Sequence, residues 1–171
     1  MLTIRQEIPA DYATVYRVVQ EAFATAEHRS GTEQDLLAPL RQGAYFIPEL
    51  SLVALADSQI VGHILFTKAQ LDKETAVLLA PLAVLPPYQR KGVGTSLLQR
   101  GHEAARKLGY EFSLVVGSPS YYGRVGYKPA AKYGILPPFE VPSANFMALN
   151  LQGNQLTLEN VKMQCAPELM L

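Results

Sequence analysis

Cysteine is nearly absent from this chain. The single thiol, Cys165, excludes an internal disulfide and any cysteine-rich metal cluster. Histidine is almost as sparse: His28, His63 and His102 are scattered without ligand spacing, so no metal is expected. Net charge is also missing, because 15 Lys and Arg residues balance 15 Asp and Glu. That balance argues against a broad surface for nucleic acid or anionic membrane and leaves only local anion sites open. No apolar run approaches the roughly 20 residues of a spanning helix. The opening Met-Leu-Thr-Ile-Arg-Gln-Glu-Ile lacks the basic-then-apolar order of a signal peptide. The expectation is a soluble, cytoplasmic protein without internal repeats or low-complexity linkers.

What remains is enough for one packed domain: 171 residues, 49% of them hydrophobic, can bury a substantial core. The most informative stretch runs from Leu82 to Leu108. There an apolar strand passes through Gln89-Arg90-Lys91-Gly92-Val93-Gly94-Thr95 into a helical pattern. The first turn of a helix carries unpartnered N–H groups and the positive end of the dipole, and glycines let a phosphate approach the backbone. Such a junction can hold an anion or be a plain tight turn. It is not a P-loop, because Gly94 is followed by Thr95 with no lysine between.

Along the chain, Leu2 to Glu7 alternates as a strand, and Asp11 marks the N-cap of an amphipathic helix ending near Thr25. After a polar stretch from Glu27 to Gly31, Thr32 and Asp35 form a capping-box-like start for a second helix that buries Leu36, Leu37 and Leu40. Leu52 to Ala56 and Ile60 to Leu71 read as a hairpin about Asp57-Ser58-Gln59. Thr75 to Leu85 is a further strand, and Pro81 within it predicts a bulge. Val93, Leu97, Leu98, Gly101, Ala104, Ala105 and Leu108 define one helical face, stopped by Gly109. Phe112 to Val116 is a short strand parallel to the one before the helix. A brief helix follows through Tyr121 and Tyr122, then a proline-rich segment and a last core strand over Asn145 to Leu151. Gln155 to Met163 could add one more.

With Gln89-Arg90-Lys91-Gly92-Val93-Gly94 in the loop and Tyr122-Gly123-Arg124-Val125-Gly126-Tyr127 after the next strand, the chain resembles the GCN5-related N-acetyltransferase family. The first stretch matches the family's Gln/Arg-x-x-Gly-x-Gly/Ala signature. The second matches Tyr-x-x-x-Gly-Phe, with Tyr127 in place of phenylalanine. Pro81 to Val84 and Gly117 to Tyr127 are most similar to a bacterial branch of predicted acetyltransferases. The resemblance covers residues 1 to 151 as one acetyltransferase domain and leaves 152 to 171 as a C-terminal extension. It implies an α/β (α+β) fold, a mixed central sheet with splayed parallel strands flanked by helices. It also implies acetyl-CoA as cosubstrate, no metal, an amine acceptor, and a monomer or homodimer.

Acetyl transfer to an amine must hold the anionic donor, stabilise an oxyanion and manage protons on the amine and the leaving thiolate. The resemblance assigns the cofactor to Leu82, Ala83 and Val84 on the strand and to Gln89, Arg90, Lys91, Gly92, Val93, Gly94 and Thr95 in the loop. Tyr122 becomes the general acid, since a phenol of reference pKa about 10 stays protonated at neutral pH. Tyr121 is its nearest competitor. Many relatives place a glutamate on the strand before the loop, yet Val77 to Val84 holds no carboxylate. Glu33 on the second helix is the first choice of base, Glu21 the second, and a water relay the alternative. A non-catalytic acyl-CoA-binding or regulatory module, or transfer of another acyl group, remains open. His63 reads as a core histidine with one hydrogen bond, His102 as solvent-facing, Arg124 as a local salt bridge, and Cys165 as no nucleophile. The acceptor side is expected from the early helices and from Pro129 to Pro142, where Tyr133, Phe139 and Phe146 offer either apolar lining or core.

Overall fold

The computed structural model describes residues 1–26 and 30–170. His28 and much of the polar stretch from Glu27 lie outside the described residues. In chain order the elements are β1 (Leu2–Gln6), α1 (Tyr12–Ala24), α2 (Leu37–Gln42), β2 (Phe46–Ala56), β3 (Gln59–Leu71), β4 (Glu74–Val84), α3 (Val93–Lys107), β5 (Phe112–Val116), α4 (Pro119–Tyr122), β6 (Lys128–Pro129), β7 (Ile135–Leu136), β8 (Phe146–Asn150) and β9 (Val161–Lys162). The main sheet has the order β1-β2-β3-β4-β5-β8-β6. It is antiparallel except where β4 meets β5.

Side chains alternate across a strand, so β3 divides the core between two faces. Ile64 and Phe66 pack with Val93, Leu97 and Leu98 under α3. Leu65 packs with Val15 and Val19 of α1 and with Leu37 and Leu40 of α2. The hairpin between β2 and β3 turns on Asp57 and Ser58, both at positive φ (49° and 69°), as a two-residue connection with the sheet's twist requires. Further along the α1 face, Phe112, Leu114, Phe146 and Ala148 are covered by Ile135, Met163 and Cys165. There β9 runs parallel to β7 in a separate two-stranded sheet. The strand suggested over Gln155 to Met163 thus contracts to two residues, and it pairs within its own chain.

Several local expectations change. Asp11 does not cap α1. Its carboxylate accepts the Ile8 amide (2.9 Å) and the Arg5 guanidinium (2.7 and 3.0 Å), closing the preceding 3-10 turn instead. Thr32 makes no side-chain cap, and Asp35 accepts the Tyr16 hydroxyl (2.7 Å). β2 begins at Phe46 because the strand tolerates Pro48 and the buried Ser51, which the apolar pattern does not reveal. Leu108 is exposed beyond the end of α3.

A buried ion pair fastens α2 to the sheet. Arg41 is bonded to both carboxylate oxygens of Glu7, and the Ser51 hydroxyl donates to the same carboxylate at 2.6 Å. The guanidinium also lies 3.9 Å over the Tyr12 ring. Nearby, His63 is sealed in the core with Nδ1 3.0 Å from the Leu52 carbonyl, so the one-bond core reading holds. Burial drives its pKa down to about 4, against the pull of Glu7 and with the push of Arg41. The unfolded chain takes up this proton near pH 6.5 and the folded chain resists it, so stability is expected to fall as pH drops from 6.5 to about 4. The loss is on the order of 3 kcal/mol. Urea midpoints across that window should show it, and His63→Leu should flatten the slope; an unaltered slope would reassign the effect.

Candidate active site

The bulge expected near Pro81 is present. Between Ile64↔Leu82 and Phe66↔Leu79, two steps on β3 face three on β4, which places one extra residue at Ala80 and Pro81. Leu79 before the bulge and Leu82 and Val84 after it therefore all join the cluster under α3, while Ala83 turns toward α1. β4 pairs with β5 only over Ala76–Leu78 against Phe112–Leu114. Past that point β4 stays with β3, and β5 continues beside β8 to Val116. The result is a wedge between two parallel strands, with Val116 exposed at its mouth.

At the head of the wedge, Gly92 caps α3 with φ of 86°, a left-handed conformation that glycine adopts without penalty, and a Cβ there would meet nothing within 4 Å. The Ser96 amide makes the first bond into the helix, to the Gly92 carbonyl at 3.0 Å. The amides of Val93, Gly94 and Thr95 thus precede the intrahelical ladder, and the exposed Arg90 and Lys91 stand beside them. Gln89 donates its side-chain amide to the Val84 carbonyl (2.9 Å), tying the loop to the end of β4.

Gly94 is where the separate motifs meet. A Cβ at this position would lie 2.9 Å from the Tyr121 hydroxyl oxygen, 3.8 Å from Val84 Cγ2 and 3.9 Å from Leu82 Cδ2. Loop, strand and α4 thus close on one point. A long anionic chain fits this arrangement: open amides at the helix start and a strand edge beyond Leu78 with no neighbouring strand among the described residues.

Behind that point Tyr122 is half-buried, its ring edge-on to Tyr121 (4.9 Å, 87°) and to Tyr127 (5.4 Å, 77°). Burial, with Tyr121 adding a smaller push, raises the Tyr122 phenol well above its ordinary value. It therefore keeps its proton throughout the neutral range. Arg124 donates to the Ser120 carbonyl (3.0 Å) and stands 5.7 Å over the Tyr121 ring, so its local role is a hydrogen bond and a ring contact instead of the expected salt bridge. Glu33 accepts the amides of Ser30 (2.5 Å) and Gly31 (3.1 Å). Partial burial pushes its pKa up, but those amide bonds outweigh it and hold the carboxyl below the usual range.

His102 departs from its expected solvent-facing role. It is half-buried and bonded to Tyr127, and burial lowers its pKa to about 4. The one sequence signal for this contact was Tyr127 standing where phenylalanine is usual. Of the three candidate lining aromatics, Phe146 is core and Tyr133 packs edge-on against Phe112 (5.2 Å). Phe139 instead lines a cleft of about 740 Å³ with Pro137, Glu140 and Lys162. Among the described residues no group of acidic, histidine or cysteine side chains could hold a metal, and no helix is long and apolar enough to cross a membrane.

A mixed sheet wedged open at its one parallel pair, with a glycine-capped helix at the mouth, is the acyl-CoA N-acyltransferase fold. The model of the acetyltransferase (GNAT) family matches residues 13–127, and the chain belongs to that family. It is 36% identical over 157 residues to the uncharacterized N-acetyltransferase YjhQ of Escherichia coli, covering 87% of this chain and 84% of that one. Two solved structures share the fold. The GNAT family N-acetyltransferase YhbS of Escherichia coli, in complex with CoA, superimposes with a TM-score of 0.86 at 24% identity, over 99% of this chain and 92% of that one. A GNAT family acetyltransferase from Brucella melitensis, in complex with acetyl-CoA, gives 0.79 at 25% identity, over 99% and 98%.

Proposed function

We propose that this chain transfers an acetyl group from acetyl-CoA to a primary amine by direct attack. The observation that carries the reading is the convergence of loop, β4 and α4 on Gly94. Acetyl-CoA supplies the acyl group as an activated thioester. The amides of residues 90–95 and the side chains of Arg90 and Lys91 hold its diphosphate. The free edge of β4 from Leu82 to Val84 pairs with the pantetheine arm and offers an amide to the thioester oxygen. Tyr122 Oη donates its proton to the departing thiolate. Burial disfavours the charged form of a thiolate in the same cleft as it does that of the phenol, which offsets part of the cost of this proton transfer. Glu33 is ionised, but both its oxygens already accept amides, so its proton-accepting role runs through a water. A pH profile of kcat/KM unchanged by Glu33→Gln would remove it.

Thiol release over a panel of amines tests the reading. Turnover on at least one acceptor is expected, and Gly94→Val should raise KM for acetyl-CoA at least about tenfold by filling the point of convergence, the equivalent of roughly 1.4 kcal/mol. The absence of a carboxylate from Val77 to Val84, the part of β4 leading to the loop, favours one other reading, a non-catalytic acyl-CoA-binding module. Tight CoA binding without turnover on any amine would establish that module instead.

A further inference from the structure

We propose that Tyr127, Ser113 and His102 form a hydrogen-bonded unit that positions Tyr122 for proton donation; the inference rests on the transferase reading above. The Tyr127 hydroxyl is 2.7 Å from Ser113 Oγ and 2.8 Å from His102 Nε2. One partner lies on β5, a strand that borders the wedge, and the other on α3, the helix that begins at its mouth. Ser113 sits opposite Val77 in the three-residue stretch where β4 and β5 are still paired, so the unit is anchored where the wedge begins.

The ring of Tyr122 has little freedom of its own. It packs edge-on against Tyr121 and Tyr127, and a Cβ at Gly117 would lie 2.4 Å from its Cε2. Gly117 is fixed by its backbone bonds to Asn145 (2.9 and 3.1 Å), and Tyr121 shares the turn of Tyr122. Tyr127 is the wall whose side chain is tied to both β5 and α3. Its ring is buried, and its hydroxyl fixes the ring's rotation and depth through two bonds that phenylalanine could not make. His102 is held in turn between the rings of Phe66 (5.7 Å) and Tyr127 (5.5 Å). Its lowered pKa keeps the imidazole neutral at working pH. A neutral imidazole and two hydroxyls can satisfy one another with the protons running in either direction, so no buried group of the unit is left unpaired.

Tyr127 does not touch reacting atoms; it acts through Tyr122. Tyr127→Phe keeps the ring but strands Ser113 and His102, so loss of rate could reflect loss of stability. The triple variant Ser113→Ala/His102→Leu/Tyr127→Phe removes all three polar partners together. It should recover thermal stability relative to Tyr127→Phe. If the unit positions Tyr122, kcat in the triple variant stays about tenfold below wild type, with KM for acetyl-CoA within about twofold; a displacement near 1 Å can cost about a hundredfold. A triple variant that turns over at the wild-type kcat overturns the inference, because the polar unit would then serve packing alone. Tyr127→Phe by itself carries the same expectation, and an unchanged kcat there overturns the inference equally. Wild-type protein that binds CoA but turns over no amine overturns the transferase reading, and this inference with it.

Discussion

Tyr122→Phe is expected to lower kcat at least about tenfold, the conservative edge of the roughly 10²–10⁴-fold that a positioned acid contributes. KM for acetyl-CoA should change little. The substitution keeps the ring against Tyr121 and Tyr127 and removes only the hydroxyl, so packing is preserved while the proton is lost. Tyr121 supplies the contrast. Its hydroxyl sits beside Gly94, at the glycine loop, so Tyr121→Phe should act mainly on KM. Steady-state kinetics of the two variants side by side decide the matter. An equal fall in kcat from Tyr121→Phe alone would end the assignment of the acid to Tyr122.

The second large effect concerns stability. Arg41→Met is expected to destabilise the fold by about 3–5 kcal/mol, the range for breaking a buried ion pair from one side. Glu7 would remain in the core with only the Ser51 hydroxyl as partner, and the stacking on Tyr12 would be lost. Adding Glu7→Gln should recover part of the loss, because a neutral amide is cheaper to bury than a charge. Urea unfolding of the single and double variants measures both steps. A shift below about 1 kcal/mol would class the pair with ordinary surface bridges. Because α2 belongs to the face where an acceptor is expected, the same variant reports whether that face depends on the pair.

How much of this was legible depended on whether a signal was local. The bulge at Pro81, the stop at Gly109, the hairpin at Asp57 and the parallel pairing of β4 with β5 all follow from short-range rules about proline, glycine and strand connection, and each was readable. The N-caps were misread because a carboxylate chooses among donors by tertiary geometry. Asp11 found Arg5, and Asp35 found Tyr16 nineteen residues away. His102 was misplaced for the same reason, since its partner Tyr127 lies 25 positions on and helical periodicity does not see it. Glu7 just after β1, Ser51 on β2 and Arg41 on α2 are far apart in the chain, and nothing in their spacing announces that they meet. Within the site, the loop and Tyr122 were visible as motifs. The approach of Tyr121, the neighbour of Tyr122, to Gly94 was not, because closeness between a helix start and a later turn is a property of the folded sheet.

The single extra residue in β4 has a meaning beyond the opening it creates. Side-chain direction along a strand is a matter of odd and even, and one inserted residue exchanges the two sets for everything that follows. Without it, Leu82 and Val84 would point toward α1 while Ala83 faced α3, and the wall that meets Gly94 would be on the wrong side of the sheet. The floor of this cleft is therefore set by arithmetic as much as by chemistry. Its shape should survive exchange of one apolar residue for another along β4 and fail on loss of a single position.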